Sequence, residues 1–112
     1  MSDVMSILRK RDFWPVDCLG DTIHFRTLRQ SEIEELIPFR AEDESLGYAL
    51  GCGMLQDDRS QVFTRNESET AKDFGARVLK QADLSSAMKA RLTEVCIKLV
   101  VGTINHDDLK KN

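Results

Sequence analysis

Ten residues, Leu46 to Leu55, constrain this chain most: the run L-G-Y-A-L-G-C-G-M-L sets three glycines among large apolar side chains. Leu46, Leu50 and Leu55 predict a helix that opens near Asp43 or Ser45. Each glycine inside a helix is worse than alanine by up to about 1 kcal/mol, because its unfolded backbone has more freedom to lose. A sequence that keeps three of them needs close approach to a neighbouring backbone, uses the segment as a hinge, or leaves part of it as loop. Gly47 and Gly51 are four residues apart and so share a helix face. In lipid that G-x-x-x-G spacing indicates helix dimerisation, but no window reaches the ~18 apolar residues of a membrane span. Tight helix packing in a soluble core is the better account.

Flanking segments fill in a mainly α, α+β domain. Ser2 or Asp3 caps a short opening helix carrying Met5, Ile7 and Leu8, which ends before Pro15. Segments 13–19 and 22–28 flank Gly20-Asp21; in the second, Ile23 and Phe25 alternate with Thr22, His24 and Arg26. That is a strand period joined by a hairpin turn, with Pro15 demoting the first strand to an edge or shortening it and His24 turned to solvent. Ser31 to Glu34 reads as a capping box opening a helix with Ile33, Leu36 and Ile37, which kinks or stops at Pro38. A second box at Asn66 to Glu69 starts a helix with Thr70, Phe74 and Val78 in step. After a break at 81–84, Ser85 or Asp83 caps a last helix with Met88, Leu92, Val95 and Leu99, stopped by Gly102. Helices near 31–37, 67–81 and 85–101 are therefore expected on one core centred on Phe74, Val78, Leu92, Val95 and Leu99, with a hairpin near 13–28 as an appendage. Residues 1–102 make the single domain and 103–112 a polar flexible tail.

Composition narrows the function. With 112 residues, 41% apolar and 31% charged, the chain fits one globular domain able to bury a core without disulfides or metals. The net charge of −3, with both signs mixed, argues against a nucleic-acid binder held by phosphate contacts. Arg9-Lys10-Arg11 reads as a solvated helix end, and the N-terminus lacks the order of a secretory signal. Cys18, Cys52 and Cys96 are odd in number and show no C-x-x-C, so no zinc or redox motif can be written; Cys52 and Cys96 read as buried. His24 and His106 have no ligand partners at useful spacing on a rigid element. Asp57 to Ser60 lacks the register of a calcium loop and reads as a turn. Nothing supports a phosphate loop or a nucleophilic triad. The expectation is a protein that is not an enzyme and has no cofactor and no metal. Phe39, Tyr48 and Met54 are the candidate partner-binding residues, although Trp14 and Tyr48 suit a core better than an interface.

Within L-Q-D-D-R-S-Q-V-F-T-R-N-E-S-E, the acidic turn at Asp57-Asp58, the apolar anchor Val62-Phe63-Thr64 and the acidic helix start at Asn66 to Glu69 precede two amphipathic helices. In this the chain resembles the small tail assembly chaperones of long-tailed bacteriophages, over about half its length. The matching positions are Leu55 to Asp58, Val62 to Thr64 and Asn66 to Glu69, while Pro38 and the three-glycine segment depart from the family's pattern. The resemblance implies a non-enzymatic helical chaperone with a small N-terminal β element. It would bind the tape measure protein and tail tube subunits in the host cytoplasm, and be absent from the mature virion. Self-association into a homo-oligomer is expected of the same apolar surface, with no nucleic acid and no membrane as partners. In that family a longer product often arises by ribosomal frameshifting near the end of the gene, and Lys110-Lys111 fits a slippery adenine run. A small helical adaptor or transcription-associated regulator is the alternative. Against it, the last helix carries only Lys89, Arg91 and Lys98 as basic residues.

Overall fold

In the computed structural model, which describes residues 4–5 and 13–101, strands β1 (Phe13–Cys18) and β2 (Asp21–Arg26) form an antiparallel hairpin. The turn lies one residue earlier than Gly20-Asp21. Asp21 pairs with Cys18 as the last rung, and Leu19 and Gly20 make the bend with φ of 56° and 92°. Two successive positive φ values match the twist of the flanking strands. Asp17 Oδ1 also accepts the Gly20 N–H at 3.0 Å. Pro15 sits on the outer strand β1, where its missing N–H breaks no ladder. The hairpin is no appendage: Val16, Cys18 and Phe25 are 0% exposed and belong to the central cluster.

Helix α1 (Gln30–Leu36) begins before the expected Ser31 cap. Glu32 accepts the Arg29 N–H at 2.7 Å, and the same carboxylate grips the Arg26 guanidinium with two bonds of 2.9 and 2.7 Å. That pair fixes Glu32 as the third helical residue and makes Arg29 the cap. The helix stops ahead of Pro38. Helix α2 (Glu42–Gly53) follows, with Glu42, Asp43 and Glu44 in its first turn, where the helix dipole favours negative charge. Leu55 was expected on this helix but lies in strand β3 (Met54–Leu55), which pairs antiparallel with β2 through His24–Leu55 and Phe25–Met54.

Helix α3 (Ala71–Ala82) starts later than the box at Asn66 suggests. Glu69 does accept the Asn66 N–H at 3.1 Å, but this closes a turn. Thr70 is the true cap, its Oγ1 accepting the Asp73 N–H at 3.1 Å. Arg77 explains the displacement. Its Nε and Nη2 hold Glu69 at 2.8 and 2.9 Å and its Nη2 donates to the Thr64 carbonyl at 2.6 Å, folding 64–69 back along α3. These hydrogen bonds from Arg77 hold the Glu69 carboxyl down at about 2, against a smaller opposing effect of burial. Helix α4 (Ser86–Val101) is capped by Ser85, whose Oγ accepts the Met88 N–H at 3.2 Å.

Around α2 the elements meet. Eight consecutive residues, Leu46 to Gly53, are buried, because α2 packs against α1, α3, α4 and the sheet. A Cβ on Gly47 would collide with the Gly75 carbonyl oxygen of α3, and one on Gly75 would lie 2.9 Å from the Tyr48 nitrogen. The two glycines thus let two backbones touch. Close approach, one of the three readings of this segment, is what the structure has. Phe74, Val78, Leu92, Val95 and Leu99 are all buried at the centre, as their spacing predicts, with Tyr48, Leu50 and Phe25 beside them.

His24 is half-buried rather than solvent-facing: its Nδ1 lies 3.2 Å from Asp57 Oδ1, without a well-aligned hydrogen bond. With Thr22 and Ile23 of β2 it lines a concavity shared with the 56–60 turn. That turn forms as read, Asp58 Oδ1 accepting from the Ser60 N–H and hydroxyl at 3.0 and 2.6 Å. Val4 and Met5 are helical; the rest of the opening helix, the Arg9-Lys10-Arg11 cluster, the Gly102 stop, His106 and the 103–112 tail lie outside the described residues. Among the described residues no helix is long and apolar enough to cross a membrane.

Candidate partner-binding site

The last two turns of α4 carry more apolar surface than the core takes. Leu92, Val95, Cys96 and Leu99 face inward, while Ala87, Ala90, Glu94, Ile97 and Val101 form an exposed stripe. Its steps of three and four residues are those of a helix–helix seam. Ile97 and Val101 are each 60% exposed. Glu94 interrupts the stripe, with its charge met by Arg91 at 3.2 Å and Lys98 at 3.6 Å. Next to the stripe lies a shallow groove of about 170 Å³ between α1, α2 and α4. Leu36, Ala49, Cys96, Ile97, Val100 and Val101 line it, and its walls are almost wholly apolar. Ile37, just after Leu36, adds a side chain 66% exposed.

The three residues singled out from the sequence do not converge here. Tyr48 and Phe39 meet edge to face at 5.8 Å between centroids, but Tyr48 is only 1% exposed and serves the core. Phe39 is half-buried against it, and Met54 lies away in β3, half-buried. The groove residues were missed because the buried stripe of α4 accounts for its periodicity by itself. The available signal was Ile97 and Val101, apolar residues four apart and off that stripe.

A second concavity, of about 290 Å³, is polar at its mouth. Glu32 and Glu35 from α1, Tyr48 and Cys52 from α2, Arg65 from the 61–66 segment and Phe74 from α3 contribute to it. The Tyr48 hydroxyl donates to Glu35 Oε2, which also accepts from Arg65 Nη1 at 2.6 Å. The hydrogen bonds from Tyr48 and then Arg65 lower the Glu35 carboxyl below the usual range. Burial opposes ionisation of Glu32, but the bonds from Arg26 and the Arg29 N–H outweigh it and hold that carboxyl low as well. Burial, with the Glu32 charge behind it, pushes the Cys52 thiol up to about 12, and burial, with Cys18 adding to it, lifts Cys96 similarly. Cys18 is raised for the same reason, so all three thiols are neutral at pH 7 and poor nucleophiles. Among the described residues, no group of three or more His, Cys, Asp or Glu side chains could hold a metal ion.

Comparison of the chain with protein-family models, with curated proteins and with solved structures gives no match.

Proposed function

We propose that this chain is a non-enzymatic tail assembly chaperone of a long-tailed bacteriophage. It covers apolar helical stretches of the tape measure protein and brings tail tube subunits to them, in the host cytoplasm, and it is not retained in the finished virion. The observation that carries this reading is the apolar groove beside α4 with its exposed Ile97 and Val101. Over residues 95–101 α4 is apolar on every side but that of Lys98, and such a stretch is normally buried all round. This one is left open over its last two turns, as a surface that receives an amphipathic helix would be. The pattern of acidic turn, apolar anchor and acidic turn at 55–69 supports the same family, and the absence of any activated nucleophile among the cysteines agrees with a binding role. A tape measure is long, helical and apolar, so each molecule is expected to take several copies of the chaperone.

Co-expression with a tape measure fragment that is insoluble alone tests this directly. The fragment is expected in the soluble fraction, eluting with the chaperone as one complex on size exclusion. A fragment that stays insoluble, or one that is soluble but runs separately, counts against the proposal.

A further inference from the structure

The polar cleft between α1, α2 and the 61–65 segment is separate from the groove beside α4, and no part of the proposed chaperone contact uses it. Several of its polar groups are already paired: Tyr48 and Arg65 on Glu35, and Glu32 with Arg26 of β2. What remains is at the mouth. Among the described residues, the side chains of Arg29, Ser31 and Gln61 line the cleft without a hydrogen-bond or ionic partner, and all three can donate. The walls behind them are the rings of Phe63 and Phe74, the second seated against Gly51.

Charge decides the ligand's sign. Arg26, Arg29 and Arg65 stand against Glu32 and Glu35, leaving one positive charge over, and Arg29 is the guanidinium without a carboxylate. A doubly charged phosphate would meet the two glutamates; a single carboxylate would neutralise the excess and accept two parallel bonds from Arg29. The cavity is at the small end of ligand sites, with room for one side chain rather than a large cofactor. We propose that this cleft binds a carboxylate attached to a large apolar or aromatic group, with Arg29, Ser31 and Gln61 on the carboxylate and Phe63 and Phe74 around the apolar part. Such a group is found on a free small acid and at the C-terminal end of a peptide.

The test is a titration of the isotopically labelled full chain, followed by backbone amide shifts. The probes are N-acetyl-phenylalanine, its neutral amide, and an acetylated tetrapeptide ending in phenylalanine. The acid is expected to give saturable shifts at Ser31, Gly51, Cys52 and Gln61 with a Kd on the order of 1 mM. Its amide is expected to bind at least about tenfold more weakly, because it loses the charged bond. Arg29→Gln is expected to weaken the acid by a similar factor; the Arg29 side chain has no partner within the fold, so the variant keeps the parent's melting temperature. Tighter binding of the tetrapeptide than of the single residue identifies a chain end as the ligand, and equal binding identifies a free small acid. The proposal is overturned if neither acid gives saturable shifts, or if acid and amide bind alike. Unchanged binding by a folded Arg29→Gln variant overturns it too.

Discussion

Helices α3 and α4 are each written with an apolar stripe at helical spacing, yet they end up in different situations. On α3, Phe74, Gly75 and Val78 face the core, while Lys72, Asp73, Ala76, Lys80 and Gln81 face water. Its apolar content is used up by packing. On α4 the inward face is as fully buried, but Ile97 and Val101 remain on the outer one. Folding accounts for every large apolar side chain on the inner face of α4 and for neither of these two. The contrast separates residues that hold the domain together from residues available to a partner, within one helix.

Leu92 is the residue whose loss distinguishes the two faces most sharply. It is fully buried, so Leu92→Ala is expected to destabilise the domain by about 2–5 kcal/mol in chemical denaturation. A change below about 0.5 kcal/mol would place Leu92 in the same class as the surface residues. Glu32→Gln is next. It leaves the buried Arg26 guanidinium without its counter-charge, which is expected to lower stability by roughly 3 kcal/mol at pH 7. Because the folded Glu32 carboxyl lies below its ordinary value, the unfolded chain binds its proton first as the pH falls. The contribution of Glu32 is thus fully present above the ordinary carboxylate pKa of about 4.3 and disappears as the pH drops through the lower folded value. The parent chain is expected to lose stability on acidification more steeply than the variant. Parallel acid limbs would mean that the pair contributes nothing specific.

Gly47 and Gly53 sharpen the same point on α2. Gly47→Ala gains helix propensity but drives a methyl into the Gly75 carbonyl, which is backbone and cannot swing aside. A net loss of about 1–3 kcal/mol is expected. At Gly53 an added Cβ meets its nearest neighbours at 3.4 Å, an ordinary contact, so Gly53→Ala is expected to stay within about 0.5 kcal/mol of the parent. Equal effects at the two positions would contradict the account of backbone contact between α2 and α3.

Periodicity made the helical core legible. The stripes on α3 and α4 named Phe74, Val78, Leu92, Val95 and Leu99 correctly, since burial and a 3.6-residue repeat are two views of one constraint. The glycines at 47 and 51 announced a close approach, but the partner at Gly75 lies 28 residues beyond Gly47 and leaves no local mark. Apart from the hairpin read as an appendage and His24 read as solvent-facing, the errors were at boundaries. Both capping boxes contained the right chemistry in the wrong place, because Glu32 answers to Arg26 and Glu69 to Arg77, ion pairs formed across six and eight residues. Strand β3 was hidden inside a helical pattern for a similar reason: two residues pair with β2 only once α2 has delivered them there. Of the candidate partner-binding residues, Tyr48 went to the core, since nothing in its spacing distinguishes a buried aromatic from an exposed one. The groove beside α4 and the cleft at Arg29 are assembled from three or more segments each, and composition along the chain carries no trace of either.

The most direct measurement introduces Ile97→Glu into the full chain and follows both its unfolding and its ability to keep the tape measure fragment soluble. Ile97 lies on the open face of α4, so the variant is expected to unfold within about 0.5 kcal/mol of the parent and yet to lose the complex on size exclusion. A folded variant that still carries the fragment into solution would contradict the assignment of this face to a partner.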